Sequence, residues 1–217
     1  MIKDNYFTIA KDHFEEYKAK SSKFLAFAFR VYDVESVQKQ LEILKSLHPK
    51  ANHHCYAYQL GVEGLIHRIY DDGEPSGTAG KPILGQVKSY GLSNVLLVVV
   101  RYFGGIKLGA SGLIQAYKEA ADLVLSNCEV IEEYISIGYK FTFNYDNMGN
   151  VMNEVKALDI LICEKHFETY PFIIVKIRQS LANGKIKMLK AKLLGISLDR
   201  IEDQTQVNGL TIEQLDS

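Results

Sequence analysis

The feature that most constrains this chain is the run Val95-Leu96-Leu97-Val98-Val99-Val100, which stops at Arg101. A membrane span needs about 20 apolar residues, so this run is far too short to cross a bilayer. Rich in β-branched residues and closed by Gly91 and Gly104, it reads as a strand buried in a core. The Arg at its end needs a carboxylate, a phosphate or water to meet.

The flanking stretches supply a first α+β domain, residues 1–128. Residues 23–31 read as a strand. Val34, Val37, Leu41, Leu44 and Leu47 recur at helical spacing up to His48-Pro49. Residues 53–60 and 65–70 read as a hairpin around Gly61 and Gly64. A helix over about residues 82–90 and another with Leu113, Tyr117, Ala120 and Val124 on one face complete it. Residues 129–217 read as a second domain of order β-α-β-β-α-β, the ferredoxin-like pattern. Its strands fall over 134–145, 160–168, 172–178 and 201–207, and its helices over about 149–158 and 182–194.

The 217 residues are 47% hydrophobic and 24% charged, enough for two cores without disulfides or metal. The net charge of −1 excludes a strongly basic nucleic-acid binder. Residues 1–128 carry 15 Lys+Arg against 13 Asp+Glu, net +2, and residues 129–217 carry 10 against 13, net −3. Cys55, Cys128 and Cys163 are widely spaced and form no CxxC, which argues against a disulfide framework or a zinc ribbon. The first residues lack a signal-peptide core, so the expected location is the cytoplasm.

Three stretches could carry chemistry. The segment from Asp71 to Pro82 places Gly73, Gly77 and Gly80 ahead of a helix. Free N–H groups and a positive helix end suit an anion, and Lys81 adds charge. The spacing is not that of a Walker A loop. Asp71, Asp72 and Glu74 repel a phosphate, unless Asp71 and Asp72 hold Mg²⁺. The plainer reading is a tight turn with Ser76 or Thr78 as helix cap.

The second stretch is Arg101-Tyr102-Phe103-Gly104-Gly105-Ile106-Lys107-Leu108-Gly109. Arg101 could present its planar fork to phosphate or carboxylate, with Tyr102 or Phe103 stacking a base. The competing reading pairs Arg101 with Asp71, Asp72 or Glu74 and ties the two glycine loops together. In the third stretch, Asn52-His53-His54-Cys55-Tyr56, strand alternation puts His53 and Cys55 on one face and His54 and Tyr56 on the other. Half-buried strand residues explain these better than a metal site or a Cys55 thiolate activated by His53. Lys185, Lys187, Lys190 and Lys192 scatter around the last helix and read as a solvated surface.

Together these stretches resemble the YigZ/Impact family. The resemblance rests on His53-His54-Cys55-Tyr56-Ala57-Tyr58, on Asp71 through Pro82, on Val98 through Gly105 running to Leu108-Gly109, and on Lys20-Ser21-Ser22-Lys23-Phe24. Ser111 and Gln115 depart from the Gly and the Lys or Arg common in bacterial relatives. The resemblance implies a first domain like the second domain of a small-subunit ribosomal protein and domain IV of elongation factor G. It implies a second domain like domain V of that factor. It also implies work in translation: the eukaryotic relative restrains a starvation-sensing kinase by competing for its co-activator on ribosomes.

The expected function is that of a non-enzymatic, translation-associated binding protein. It would dock RNA or a ribosomal or translation-factor partner through Lys81, Arg101, Tyr102, Lys107, Gly77, Gly80, Gly104 and Gly105, with no cofactor and no membrane. One alternative is a hydrolase of a small phosphorylated or carboxylated substrate, using Asp71, Asp72, Glu74 and His53 with Mg²⁺. The other is that the loops are structural and the partner surface lies elsewhere.

Overall fold

A computed structural model of the chain describes residues 4–215. Among these residues it is a mixed α/β protein with antiparallel sheets and five α-helices. They divide into two compact units, one spanning Asn5–Glu133, the other running from Tyr134 onward and taking in Asp4. No helix among the described residues is long and apolar enough to cross a membrane.

The first unit runs β1 (Asn5–Ile9), β2 (His13–Ala19), β3 (Ser22–Arg30), α1 (Val34–Leu47), β4 (His53–Leu60) and β5 (Ile66–Tyr70). It continues with α2 (Gly80–Ser89), β6 (Val95–Tyr102), α3 (Gly109–Ser126) and β7 (Val130–Tyr134). Five strands make one antiparallel sheet in the order β2-β3-β6-β4-β5. The apolar run lies on its central strand, where Val95 through Val100 are each 0% exposed.

Helices on both faces explain why that run never alternates. Val95, Leu97 and Val99 pack with Phe24, Cys55 and Ala57 against Ile83, Val87 and Tyr117 of α2 and α3. Leu96, Val98 and Val100 pack with Leu25, Tyr56 and Tyr58 against Val37, Leu41 and Leu44 of α1. Each such side chain contributes about 1.5–3 kcal/mol on burial. Helix α1 starts where Asp33 and Ser36 form a capping box.

Strands β1 and β7 pair as a two-stranded ribbon, and neither is expected from the sequence. Because Val130–Glu133 belongs with the first unit, the division falls after Glu133 and not after residue 128.

The second unit runs β8 (Ser136–Phe143), α4 (Tyr145–Ala157), β9 (Leu161–His166), β10 (Phe172–Arg178), α5 (Gln179–Leu194) and β11 (Leu210–Gln214). Its antiparallel sheet has the order β11-β8-β10-β9. Several boundaries differ from expectation: α4 and α5 begin at Tyr145 and Gln179 instead of about 149 and 182, and two strands shift as well. The single strand over 134–145 ends at Phe143, because the Asn144 side chain accepts from the Asn147 N–H and starts α4 there. The last strand is Leu210–Gln214 and not 201–207. Residues 202–205 close a turn in which the Glu202 N–H donates to Thr205 Oγ1 and the Thr205 N–H to the Glu202 carbonyl.

Candidate functional site

Strand alternation decides where Arg101 points. On β6 the odd residues face α2 and α3, so Arg101 continues the row of Val95, Leu97 and Val99. The side chain is turned inward, and the residue is only 4% exposed. Its Nη1 donates to Glu74 Oε1 at 2.5 Å and its Nη2 to Ser22 Oγ at 3.2 Å. The guanidinium carbon lies 5.4 Å from the Phe24 ring centre and 5.5 Å from that of Phe103. Such contacts suit a planar, weakly hydrated cation.

Glu74 is equally enclosed. The same oxygen also accepts from the Tyr117 hydroxyl at 2.8 Å and lies 3.7 Å from His53 Nε2. A buried carboxylate is tolerable only with such partners. The structural pairing of Arg101 therefore takes its fork, and of the three acids that could serve, Glu74 is the one used. The pair draws the 71–80 loop, the end of β6 and the Ser21-Ser22 turn together. Gly104 completes the junction: a Cβ built on it would sit against the Ser21 backbone.

The other two acids are also engaged inside the loop. Asp71 accepts from the N–H groups of Gly77, Ala79 and Gly80 at 2.9, 3.0 and 2.8 Å. The start of α2, read as an anion site, is thus filled by the chain's own carboxylate, which supplies the cap expected from Ser76 or Thr78. The Thr78 hydroxyl instead donates to the Pro75 carbonyl. Burial pushes the Asp71 pKa upward, but its three N–H donors outweigh that, and the net shift is downward. Asp72 accepts from the His54 N–H at 2.6 Å, and its carbonyl accepts from His53 Nδ1 at 2.8 Å.

Its lowered pKa makes the Asp71 carboxylate stabilising at neutral pH. The contribution is complete above the unfolded pKa of about 4 and fades as pH falls toward the folded value. Asp71→Asn, which keeps one accepting oxygen, should cost about 1–2 kcal/mol by urea unfolding at pH 7. The gap to the parent protein should close below about pH 4. A gap that persists at low pH would show that the carboxylate charge is not what matters.

The third stretch behaves as alternation demands. Cys55 lies in the core on the α3 side and Tyr56 in the core on the α1 side. The Cys55 thiol donates to the Asp71 carbonyl at 3.0 Å and lies 3.3 Å from the Tyr117 hydroxyl. Burial pushes its pKa well up, so it carries no thiolate at neutral pH. Among the described residues no three His, Cys, Asp or Glu side chains are grouped to hold a metal ion.

The exposed part of the site is what remains. Gly73, Lys81, Phe103, Gly104, Gly105 and Lys107 face solvent. Gly80 is buried and Gly77 half-buried. Tyr102 points the other way, toward α1, with its hydroxyl 3.0 Å from His48 Nδ1. Lys81 borders a shallow groove between α2 and α3, lined also by Pro82, Gly85, Ile114 and Lys118.

A domain-family comparison matches residues 20–125 to the Impact N-terminal domain. The chain is similar to the IMPACT family member YvyE of Bacillus subtilis, at 37% identity over 76% of this chain and 79% of that protein. It is also similar to the IMPACT family member YigZ of Escherichia coli, at 31% identity over 82% of this chain and 86% of that one. The chain belongs to the IMPACT family. A crystal structure described only as a hypothetical protein superposes with a TM-score of 0.70 at 25% identity, covering 99% of both chains.

In this IMPACT family chain the matched region holds every member of the buried network. Two members were not singled out by sequence reasoning. Tyr117 reads as helix core, and only its hydroxyl reaching Glu74 and Cys55 makes it part of the network. Ser22 carries no sequence signal beyond its place in the Lys20–Phe24 segment.

Proposed function

We propose that this protein is a non-enzymatic docking protein of the translation machinery, and that the glycine face of its first unit seats on ribosomal RNA. The observation that carries this is the Arg101–Glu74 tie, which gathers two glycine loops into one surface. Its outer side offers glycine backbone at 73, 104 and 105, with Lys81 and Lys107 unpaired by any carboxylate among the described residues. Glycine lets a phosphate backbone come close, and lysine meets it as a point charge. Arg101 acts here as the internal anchor and not as the contact.

The family resemblance supports the same reading, since it implies a eukaryotic relative that works on ribosomes and domains like those of elongation factor G. The β-α-β-β-α-β order with central first and third strands fits the ferredoxin-like domain expected for the second unit. The carboxylates that a hydrolase would use are engaged internally.

Sedimentation of purified protein with ribosomes through sucrose, at stepped salt, tests the proposal. The expected result is co-sedimentation that falls steeply with salt. Lys81→Glu with Lys107→Glu should weaken it about tenfold or more at unchanged stability. Absence of co-sedimentation by the parent protein overturns the proposal. If the parent binds and the double variant binds equally, the partner surface lies elsewhere.

A further inference from the structure

The second unit covers only one face of its sheet with helices. Tyr139, Phe141, Ile173 and Val175 point to α4 and α5 and pack with Val151, Val155 and Leu189. The register then fixes what lies on the other face. Thr211, Thr142, Phe172 and His166 stand abreast across the four strands. The next row is Glu213, Lys140, Ile174 and Glu164, and beyond it come Gly138, Lys176 and Leu161.

This face is unusual in its rings and in its cations. The His166 and Phe172 rings are stacked, 4.4 Å between centres at 19°. Lys140 Nζ lies 4.4 Å from the centre of the Phe172 ring. The β9–β10 turn adds Phe167 and Tyr170, the latter 80% exposed. Tyr145 holds that turn, its hydroxyl donating to the Glu168 carbonyl at 2.7 Å and lying 3.0 Å from that of Phe167. Lys140 and Lys176 lack a carboxylate partner among the described residues, whereas Glu164 is matched with His166 at 3.3 Å. Glu213 stands on the edge strand.

We propose that this uncovered sheet face binds single-stranded RNA, stacking unpaired bases on the outer face of the His166 ring and on Tyr170. His166 and Lys140 cover the two faces of the Phe172 ring, so the His166 ring on the edge strand, backed by Phe172, and Tyr170 on the neighbouring turn offer the π-faces that any base can use. Lys140 and Lys176, at the middle of the sheet, meet the strand's phosphates. Thr142 and Thr211 keep the floor low enough for a base to lie against it, whereas the Leu215 side chain lies over Gly138. The acids Glu164 and Glu213 limit the electrostatic pull, so stacking supplies most of the affinity and the salt dependence is shallow. This site lies on a different unit from the glycine face and does not depend on it.

Fluorescence anisotropy with a labelled oligouridylate of about 12 nucleotides tests the proposal on the full chain. The expected result is saturable binding with a salt slope of about −1 to −2. His166→Ala, on the exposed edge strand, should weaken binding about tenfold, and Tyr170→Ala several-fold, both at unchanged melting temperature. Lys187→Gln on the helix-covered side should bind as the parent does. A self-complementary duplex should bind more weakly than the single strand. An oligothymidylate that binds equally well supports the stacking site and makes any unpaired strand its ligand. Undetectable oligouridylate binding, duplex binding equal to single-strand binding, or parent-like affinity of His166→Ala overturns the proposal. So does a dimer in analytical ultracentrifugation that His166→Ala abolishes, since the face would then be covered by a second copy. None of these outcomes bears on the ribosome sedimentation of the Lys81 and Lys107 variants.

Discussion

Glu74→Ala is expected to destabilise the first unit by about 3–5 kcal/mol. The reason is asymmetry. The parent pair is buried on both sides, with Glu74 9% and Arg101 4% exposed. Removing the carboxylate leaves a guanidinium in the interior with only Ser22 as its hydrogen-bond partner, and it takes away the acceptor of the Tyr117 hydroxyl. A loss of this size lowers the melting temperature by about 10 °C or more. Urea unfolding followed by circular dichroism measures it. Adding Arg101→Met to Glu74→Ala should recover much of the loss, because an apolar pair avoids the desolvation cost. A single variant within about 1 kcal/mol of the parent would mean that the pair is not the anchor described above.

Gly104→Ala is expected to be the next most damaging change. Its Cβ would lie 1.7 Å from the Ser21 carbonyl oxygen and 2.1 Å from the carbonyl carbon. Those are backbone atoms, so the 20–22 turn and the 103–105 loop must separate, at a cost of about 3 kcal/mol. Gly105→Ala is the control: nothing lies within 4 Å, and only its φ of +87° opposes a side chain, for about 1–2 kcal/mol. The expected order is Gly104→Ala well below Gly105→Ala, which is itself below the parent. Equal stability of the two variants would sink the close-approach argument.

Much of this architecture is written in local patterns. The span 53–60 of β4 and the apolar core of β6 follow from residue type and bounding glycines, and the periodicity of α1 places that helix to the residue. Strands β1, β2 and β7 escape such reading because they lie at edges or in a ribbon. Their sequences, such as His13-Phe14-Glu15-Glu16-Tyr17-Lys18-Ala19, need cover only one face and carry charge on the other. The site was legible to the point of knowing that Arg101 meets either an acid or a ligand. Which it meets depends on whether Glu74 reaches inward, and that is set by Asp71 winding the loop onto the start of α2, eight residues of geometry that no spacing rule encodes.

The pairing of β3 with β6 has a consequence for the order in which the chain can be assembled. Lys23 lies opposite Tyr102, and Arg30 opposite Val95. During synthesis β3 therefore emerges with no inner neighbour, and its apolar flank waits through α1, β4, β5 and α2 before the strand that closes the sheet is made. Long-range antiparallel pairing of this kind delays productive collapse and leaves a nascent chain sticky. The first unit should thus fold late and all at once, when the last of its central strand leaves the exit tunnel, and not hairpin by hairpin.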